Sequence, residues 1–162
     1  MMYMEYLDVA SAKRSEAPTR RVARAVVYDE TPDGYRFLLL KNRDGYWQNP
    51  QGRIGPGESD LEAALRETRQ ETALDGLTSL PWSEYHTSYF TEDEENPLHT
   101  ELTGYAVRAD SSRPVALSID GKHTDYEWVD MWEAKSRLTR FPQQREVFDY
   151  VLMDAGICDY SY

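Results

Sequence analysis

Between Gly52 and Leu74 the chain reads GRIGPGESDLEAALRETRQETAL, and no other stretch restricts its fold so tightly. The ten residues from Pro50 to Ser59 include three Gly and two Pro, a density that forces an irregular loop. That loop runs straight into a helix. Ser59 followed three positions on by Glu62 reads as a capping box, and Asp60 adds negative charge to the first turn. Leu61, Ala64, Leu65, Thr68 and Thr72 recur at helical spacing and predict one buried stripe. Glu67, Gln70 and Glu71 fall together on another face, and Gly76 offers the stop. Two carboxylates one turn apart beside a backbone-rich loop are hard oxygen donors on a rigid face, which suits magnesium or manganese. The same residues also suit a solvated acidic helix laced by pairs such as Glu62 with Arg66.

The remaining sequence predicts what this unit packs against. Val22, Ala23, Val26, Val27 and Tyr28 mark a strand over Arg21–Tyr28, Thr31-Pro32-Asp33-Gly34 a turn, and Arg36–Leu40 a second apolar run. Arg43-Asp44-Gly45 makes another turn ahead of Tyr46-Trp47-Gln48. Later strands are expected at Tyr85–Phe90, Glu101–Val107 and Tyr126–Val129. A last helix opens at Pro142, which suits a first helical position, and runs through Val147, Phe148, Val151 and Leu152 to Gly156. Strands, helix, strands, helix is the order of an α/β fold, a mixed sheet covered by helices. Residues 1–19 read as an N-terminal arm and 20–162 as a single domain.

Charge narrows the function. With 18 Lys and Arg against 29 Asp and Glu, the net charge is −11 and the pI about 4.7. Gripping long nucleic acid needs a clustered basic face, so that class falls away. Small anionic ligands stay possible where metal ions or local basic groups offset the carboxylates. Cys158 is the only cysteine, which excludes an internal disulfide and an all-cysteine zinc site and fits a reducing, cytoplasmic setting. No run of 18 apolar residues suggests a membrane span, and Met1–Ala10 lacks the pattern of a signal peptide. His86, His99 and His123 show no paired ligand spacing and read as structural or surface residues.

The Gly52–Leu74 segment resembles the Nudix hydrolase box, G-x5-E-x7-R-E-U-x-E-E-x-G-U with U a bulky apolar residue: Gly52, Glu58, Arg66, Glu67, Glu71 and Leu74 match with the spacing intact. Trp47-Gln48-Asn49-Pro50-Gln51-Gly52 is similar to the lead-in found in bacterial RNA pyrophosphohydrolases, and ESDLEAALRET to diadenosine tetraphosphate hydrolases. His123-Thr124-Asp125-Tyr126-Glu127-Trp128 resembles the H-x-x-Y-x-W segment of those hydrolases and of dihydroneopterin triphosphate pyrophosphatases. The resemblance implies an α/β/α sandwich in which the Gly52 carbonyl, Glu67 and Glu71 hold Mg2+ or Mn2+ while Arg66 and Glu58 brace the loop. The implied reaction is attack by a metal-activated water on a phosphoanhydride of a small nucleotide, a dinucleoside polyphosphate or a nucleoside triphosphate-like compound.

Five positions depart from the pattern, one of them Gly55, which stands where many relatives place a glutamate. Gln70 replaces the first glutamate of the Glu-Glu pair, and its amide oxygen is a weaker ligand. Ala73 replaces the glycine near the helix end, which Gly76 can absorb if the helix runs further. Thr68 replaces an aliphatic residue, as in the diadenosine tetraphosphate branch, and Lys122 stands where relatives often carry a further glutamate. Glu101 is the best-placed substitute carboxylate, ahead of the acidic loop 92–95. Trp47, Gln51, Arg53, Tyr89 and Lys122 are the candidate substrate contacts. Two alternatives stand beside the hydrolase reading: a degenerate domain that binds a nucleotide or protein partner without hydrolysis, and a hydrolase of nucleotide sugars or RNA 5′-pyrophosphates. No membrane partner is expected, and a monomer and a homodimer both fit.

Overall fold

The computed structural model describes residues 12–157 apart from Glu92 and Glu94; Cys158, most of the arm and part of the acidic loop lie outside these. In chain order the elements are β1 (Thr19–Thr31), β2 (Gly34–Asn42), β3 (Trp47–Gln48), β4 (Gln51–Arg53), α1 (Asp60–Thr72), β5 (Thr78–Phe90), β6 (His99–Arg108), β7 (His123–Val129), α2 (Met131–Arg137) and α3 (Pro142–Ala155). All seven strands join one mixed sheet, ordered β3-β2-β1-β6-β5, with β4 also on β1 and β7 also on β2. β1 lies at its centre. It pairs antiparallel with β2 and β4 on one side and parallel with β6 along the whole of the other, from Thr19↔His99 to Tyr28↔Arg108.

The period-2 pattern of β1 and β2 separates two cores. Ala23, Ala25, Val27, Leu38 and Leu40 face α1, while Val22, Val26, Tyr28, Phe37 and Leu39 face α2 and α3. The result is an α/β/α sandwich. On the α3 side the helix sits directly on β6 at Gly104, where a Cβ would lie 2.5 Å from Val147 Cγ1. On the α1 side small residues allow close approach: Ala63, Ala64, Thr68 and Thr72 are buried on the helix against Ala23 and Ala25 on β1. Leu61 and Leu65 are only half-buried, so the expected stripe is shifted round the helix, and Glu67 and Glu71 turn inward with it.

Three local expectations change. α1 stops at Thr72, not Gly76, because Ala73 itself takes the left-handed conformation at φ 60° and donates to Arg69 O at 2.8 Å. That reversal sends Leu74 into the core. β5 begins seven residues earlier than expected, at Thr78, with a shifted register between Leu80 and Tyr85. Pro81 in that interval has no N–H to give the ladder, and where the pairing is interrupted Ser83 Oγ accepts from Ala106 N at 2.8 Å. α2 is an element the apolar periodicity did not reveal; its start is set by Asp130, which accepts from Glu133 N at 2.8 Å. Among the described residues no helix is long and apolar enough to cross a membrane.

Candidate active site

The irregular loop is held by one arginine. Glu58 accepts from Arg66 through both oxygens, Oε2 from Nε at 2.7 Å and Oε1 from Nη2 at 2.9 Å, and Oε1 also accepts from Gly55 N at 2.9 Å. The same guanidinium donates to Arg53 O at 2.9 Å, to Glu67 Oε1 at 2.7 Å and to Gln70 Oε1 at 3.2 Å. Arg66 thus ties β4, the loop and α1 together through a planar fork that a lysine could not reproduce. The Arg66 bonds, then the Gly55 amide, hold the Glu58 carboxyl down at about 2, and Glu58 and Glu67 raise Arg66 in return.

Glu67 lies against the backbone of β4. A Cβ built on Gly52 would meet its Cδ at 2.1 Å and both its oxygens within 2.5 Å, so the carboxylate fills the space any other side chain would need. One turn on, Glu71 is 4% exposed and its Oε2 has no hydrogen-bond partner. Burial, and then the Glu67 charge, push the Glu71 carboxyl above the usual carboxylate range, against pulls from Lys122 and the Gln51 amide. A buried, unpartnered carboxylate oxygen beside a second carboxylate costs free energy unless a cation covers it. The donors are hard oxygens, so the residues present fit a divalent ion such as Mg2+. Among the described residues no ready group of three acidic, His or Cys ligands is formed.

The facing wall comes from β2, β3 and β7. Asn42 Oδ1 accepts from Asp44 N at 3.0 Å and Tyr46 N at 3.2 Å, which leaves its amide nitrogen to donate to Gln48 Oε1 at 3.3 Å. Gln48 Nε2 then donates to His123 Nε2 at 2.8 Å. The chain of donors assigns His123 as neutral imidazole with its proton on Nδ1. Burial lowers the pKa of this histidine, in agreement. His123 Nε2 stands 4.0 Å from Glu71 Oε2, so a neutral ring borders the carboxylate and brings no competing positive charge. Two clefts meet here and share Glu71 and Lys122. One, of ≈ 380 Å³, is lined also by Asn42, Arg43, Asp44, Gln48, Gln51 and His123. The other, of ≈ 290 Å³, is lined by Glu67, Gln70, Ser118 and Asp120.

The glycine loop and the two carboxylates of the sequence box thus stand where two clefts meet. The model of the NUDIX domain matches residues 18–151. The chain belongs to the Nudix family. Members of this hydrolase family generally use divalent metal ions. Among curated relatives, this Nudix chain is 31% identical over 113 residues to the bis(5'-nucleosyl)-tetraphosphatase [asymmetrical] of Mus musculus, covering 67% of this chain and 73% of the relative. It is also 33% identical over 138 residues to an octanoyltransferase of Myxococcus xanthus, where 82% of this chain spans only 37% of the relative's length. The fold superposes on a C. elegans Ap4A hydrolase with a TM-score of 0.71 at 20% identity, over 85% of this chain and 98% of that one.

Within this Nudix domain the sequence-predicted residues divide. Gly52, Glu58, Arg66, Glu67 and Glu71 are brought together. Gln70 is exposed and its amide oxygen is taken up by Arg66. Glu101 lies elsewhere: it lines a groove at the start of α1 with Arg21, Asp60, His86 and Thr103, and neither cleft at Glu71 includes it. Thr103, two residues after Glu101 on β6, donates to Asp60 Oδ2 at 2.8 Å in the first turn of α1, whereas Glu71 is in its last turn, and this separates the two. Lys122 and Gln51 do line the larger cleft, although Gln51 Oε1 accepts from the buried Arg24 at 2.8 Å. Arg53 contributes its carbonyl to Arg66. Trp47 and Tyr89 pack on the α3-side core, and Trp47 lies 4.8 Å from the Arg137 guanidinium. Asn42, Arg43, Gln48 and His123 were not singled out for the site. The signal for His123 was the H-x-x-Y-x-W segment, and the turn chemistry at Arg43-Asp44-Gly45 marked the loop without its role.

Proposed function

We propose that the protein is a divalent-cation-dependent pyrophosphohydrolase of small nucleotides, favouring dinucleoside polyphosphates and nucleoside triphosphate-like compounds over RNA 5′-pyrophosphates and nucleotide sugars. The observation that carries this reading is the buried, unpartnered Glu71 Oε2 beside Glu67 at the meeting point of two clefts. Glu67, Glu71 and the backbone at Gly52 would hold Mg2+ or Mn2+, which supplies neutralisation of phosphate charge and activation of the attacking water. Arg66 holds Glu67 in place, Glu58 holds Arg66, and the neutral His123 shields one side of Glu71 without repelling a cation. Likeness to a bis(5'-nucleosyl)-tetraphosphatase supports the substrate class, and the net charge of −11 weighs against long RNA.

The test is release of mononucleotide or phosphate from a nucleotide panel with Mg2+ or Mn2+, comparing wild type with Glu71→Gln. Removing outer-shell partners of a metal ligand already costs about 10–100-fold in metal affinity or activity. Loss of Glu71 itself should therefore lower activity by more than about 100-fold in a protein that still melts cooperatively. Folded wild-type protein that cleaves nothing on the panel with either metal would overturn the reading in favour of a nucleotide-binding domain.

A further inference from the structure

We infer that Arg43 and Lys122 form a two-cation clamp for the polyphosphate chain of the substrate, so that affinity rises with the number of phosphates. The inference rests on the hydrolase reading above and names which part of the substrate the site selects. The two residues ride on tight turns that are bonded to each other. Arg43 N donates to Lys122 O at 3.1 Å, and Arg43 Nη2 reaches Asp120 O at 3.4 Å. Asp120 Oδ1 in turn accepts from Lys122 N at 3.0 Å, around Gly121 at φ 75°. The Asn42 side chain closes the other turn, just past a register shift between Lys41 and Asn42 where β2 meets β7. Irregularities of this kind re-aim side chains next to sites.

Charge gives the arrangement its meaning. Among the described residues neither cation makes an ion pair, in a chain with 29 acidic side chains available. Two like charges that line one cleft with no carboxylate within ion-pair distance, Lys122 feeling only the longer-range field of Glu71 and Asp120, are arranged for an anion from outside the protein. The ≈ 380 Å³ of this cleft is within the range of small-ligand sites. Lys122 borders both clefts at Glu71, whereas Arg43 borders only the larger. Lys122 therefore meets the phosphate nearest the carboxylates and Arg43 one further along. Asp44, whose carboxylate accepts from the Tyr46 hydroxyl at 3.4 Å, lines the same cleft and opposes a long anion.

The test is calorimetric titration of the intact protein with inorganic orthophosphate and tripolyphosphate, at a fixed excess of magnesium. Arg43→Gln should weaken tripolyphosphate binding about threefold to tenfold and leave orthophosphate unchanged, while Lys122→Gln weakens both. Arg43→Lys should keep most of the affinity, Asp44→Asn should tighten tripolyphosphate, and Arg36→Gln, at a half-buried position on β2 outside both clefts and bonded to its own neighbour's carbonyl, should change neither. Tripolyphosphate binding that is as tight in Arg43→Gln as in wild type overturns the clamp, even if the protein hydrolyses nucleotides. The predicted losses in a protein that hydrolyses none uphold the clamp and overturn the hydrolase reading instead.

Discussion

A glycine can be required for the space it leaves as much as for the backbone angles it permits, and Gly52 is of the first kind. Its missing Cβ is the space occupied by the Glu67 carboxylate. Gly52→Ala should therefore push that carboxylate away from β4 and from Arg66, destabilising the fold by about 1–3 kcal/mol as overpacking does. Cation affinity should fall by about tenfold or more, since Glu67 would lose the position that Arg66 and Gly52 give it. Thermal melts and a Mn2+ titration followed by electron paramagnetic resonance check both; unaltered Mn2+ affinity would remove Glu67 from the cation site. Gln70 shows a different economy. Its oxygen accepts from the guanidinium that also bonds Glu67, a contact open to an amide as to the carboxylate of the family box.

At the scale of elements, α1 is the instructive case. It ends on Ala73 in a conformation that costs a side chain about 1–2 kcal/mol relative to glycine, offset in part by the greater unfolded-state freedom of glycine. Ala73→Gly should raise stability by about 0.5–1 kcal/mol, measurable as an upward shift in urea midpoint at constant slope. A lower midpoint would mean that the reversal is set by the burial of Leu74 alone. The helix was legible in the sequence from Ser59 onward, because capping and spacing are local. Its end was not, because the pull on Leu74 comes from the core. The same division runs through the site. The loop, Arg66 and the carboxylates sit within one segment and could be read there, whereas the contributions of Arg43, Gln48 and His123 depend on β2, β3 and β7 meeting. The place of Glu101, in the groove at the start of α1 and apart from the clefts at Glu71, was illegible for the same reason: spacing along β6 says nothing about which turn of α1 it faces.

For the whole molecule, acid is the informative stress. Glu58 is held at about 2 in the fold, below the ordinary value of 4.5, by Arg66 and the Gly55 amide. Asp29 is also lowered: burial pushes it up, but bonds from Ser111, Glu30 N and Arg108 outweigh this. Groups depressed on folding contribute stability that is present above their unfolded values and lost as pH falls through the folded ones. Wild type should lose melting temperature progressively from about pH 4.5 toward pH 2 as these two groups protonate, while the raised Glu71 contributes the opposite slope at higher pH. Glu58→Gln, lower at neutral pH, should fall less steeply and converge with wild type at the acid end. Parallel pH curves for the two proteins would show that the Glu58–Arg66 pair is not responsible. The strand arrangement also bears on how the protein is made. β1 cannot complete its parallel pairing until β6, about eighty residues later, has been synthesised, and His123 and Lys122 follow later still. A nascent chain emerging from the ribosome would therefore carry its loop and carboxylates well before it had the far wall of the cleft. Chains released before β6 should leave one edge of the central strand β1 unpaired, and chains released between β6 and β7 should carry the carboxylates without the wall that Lys122 and His123 supply.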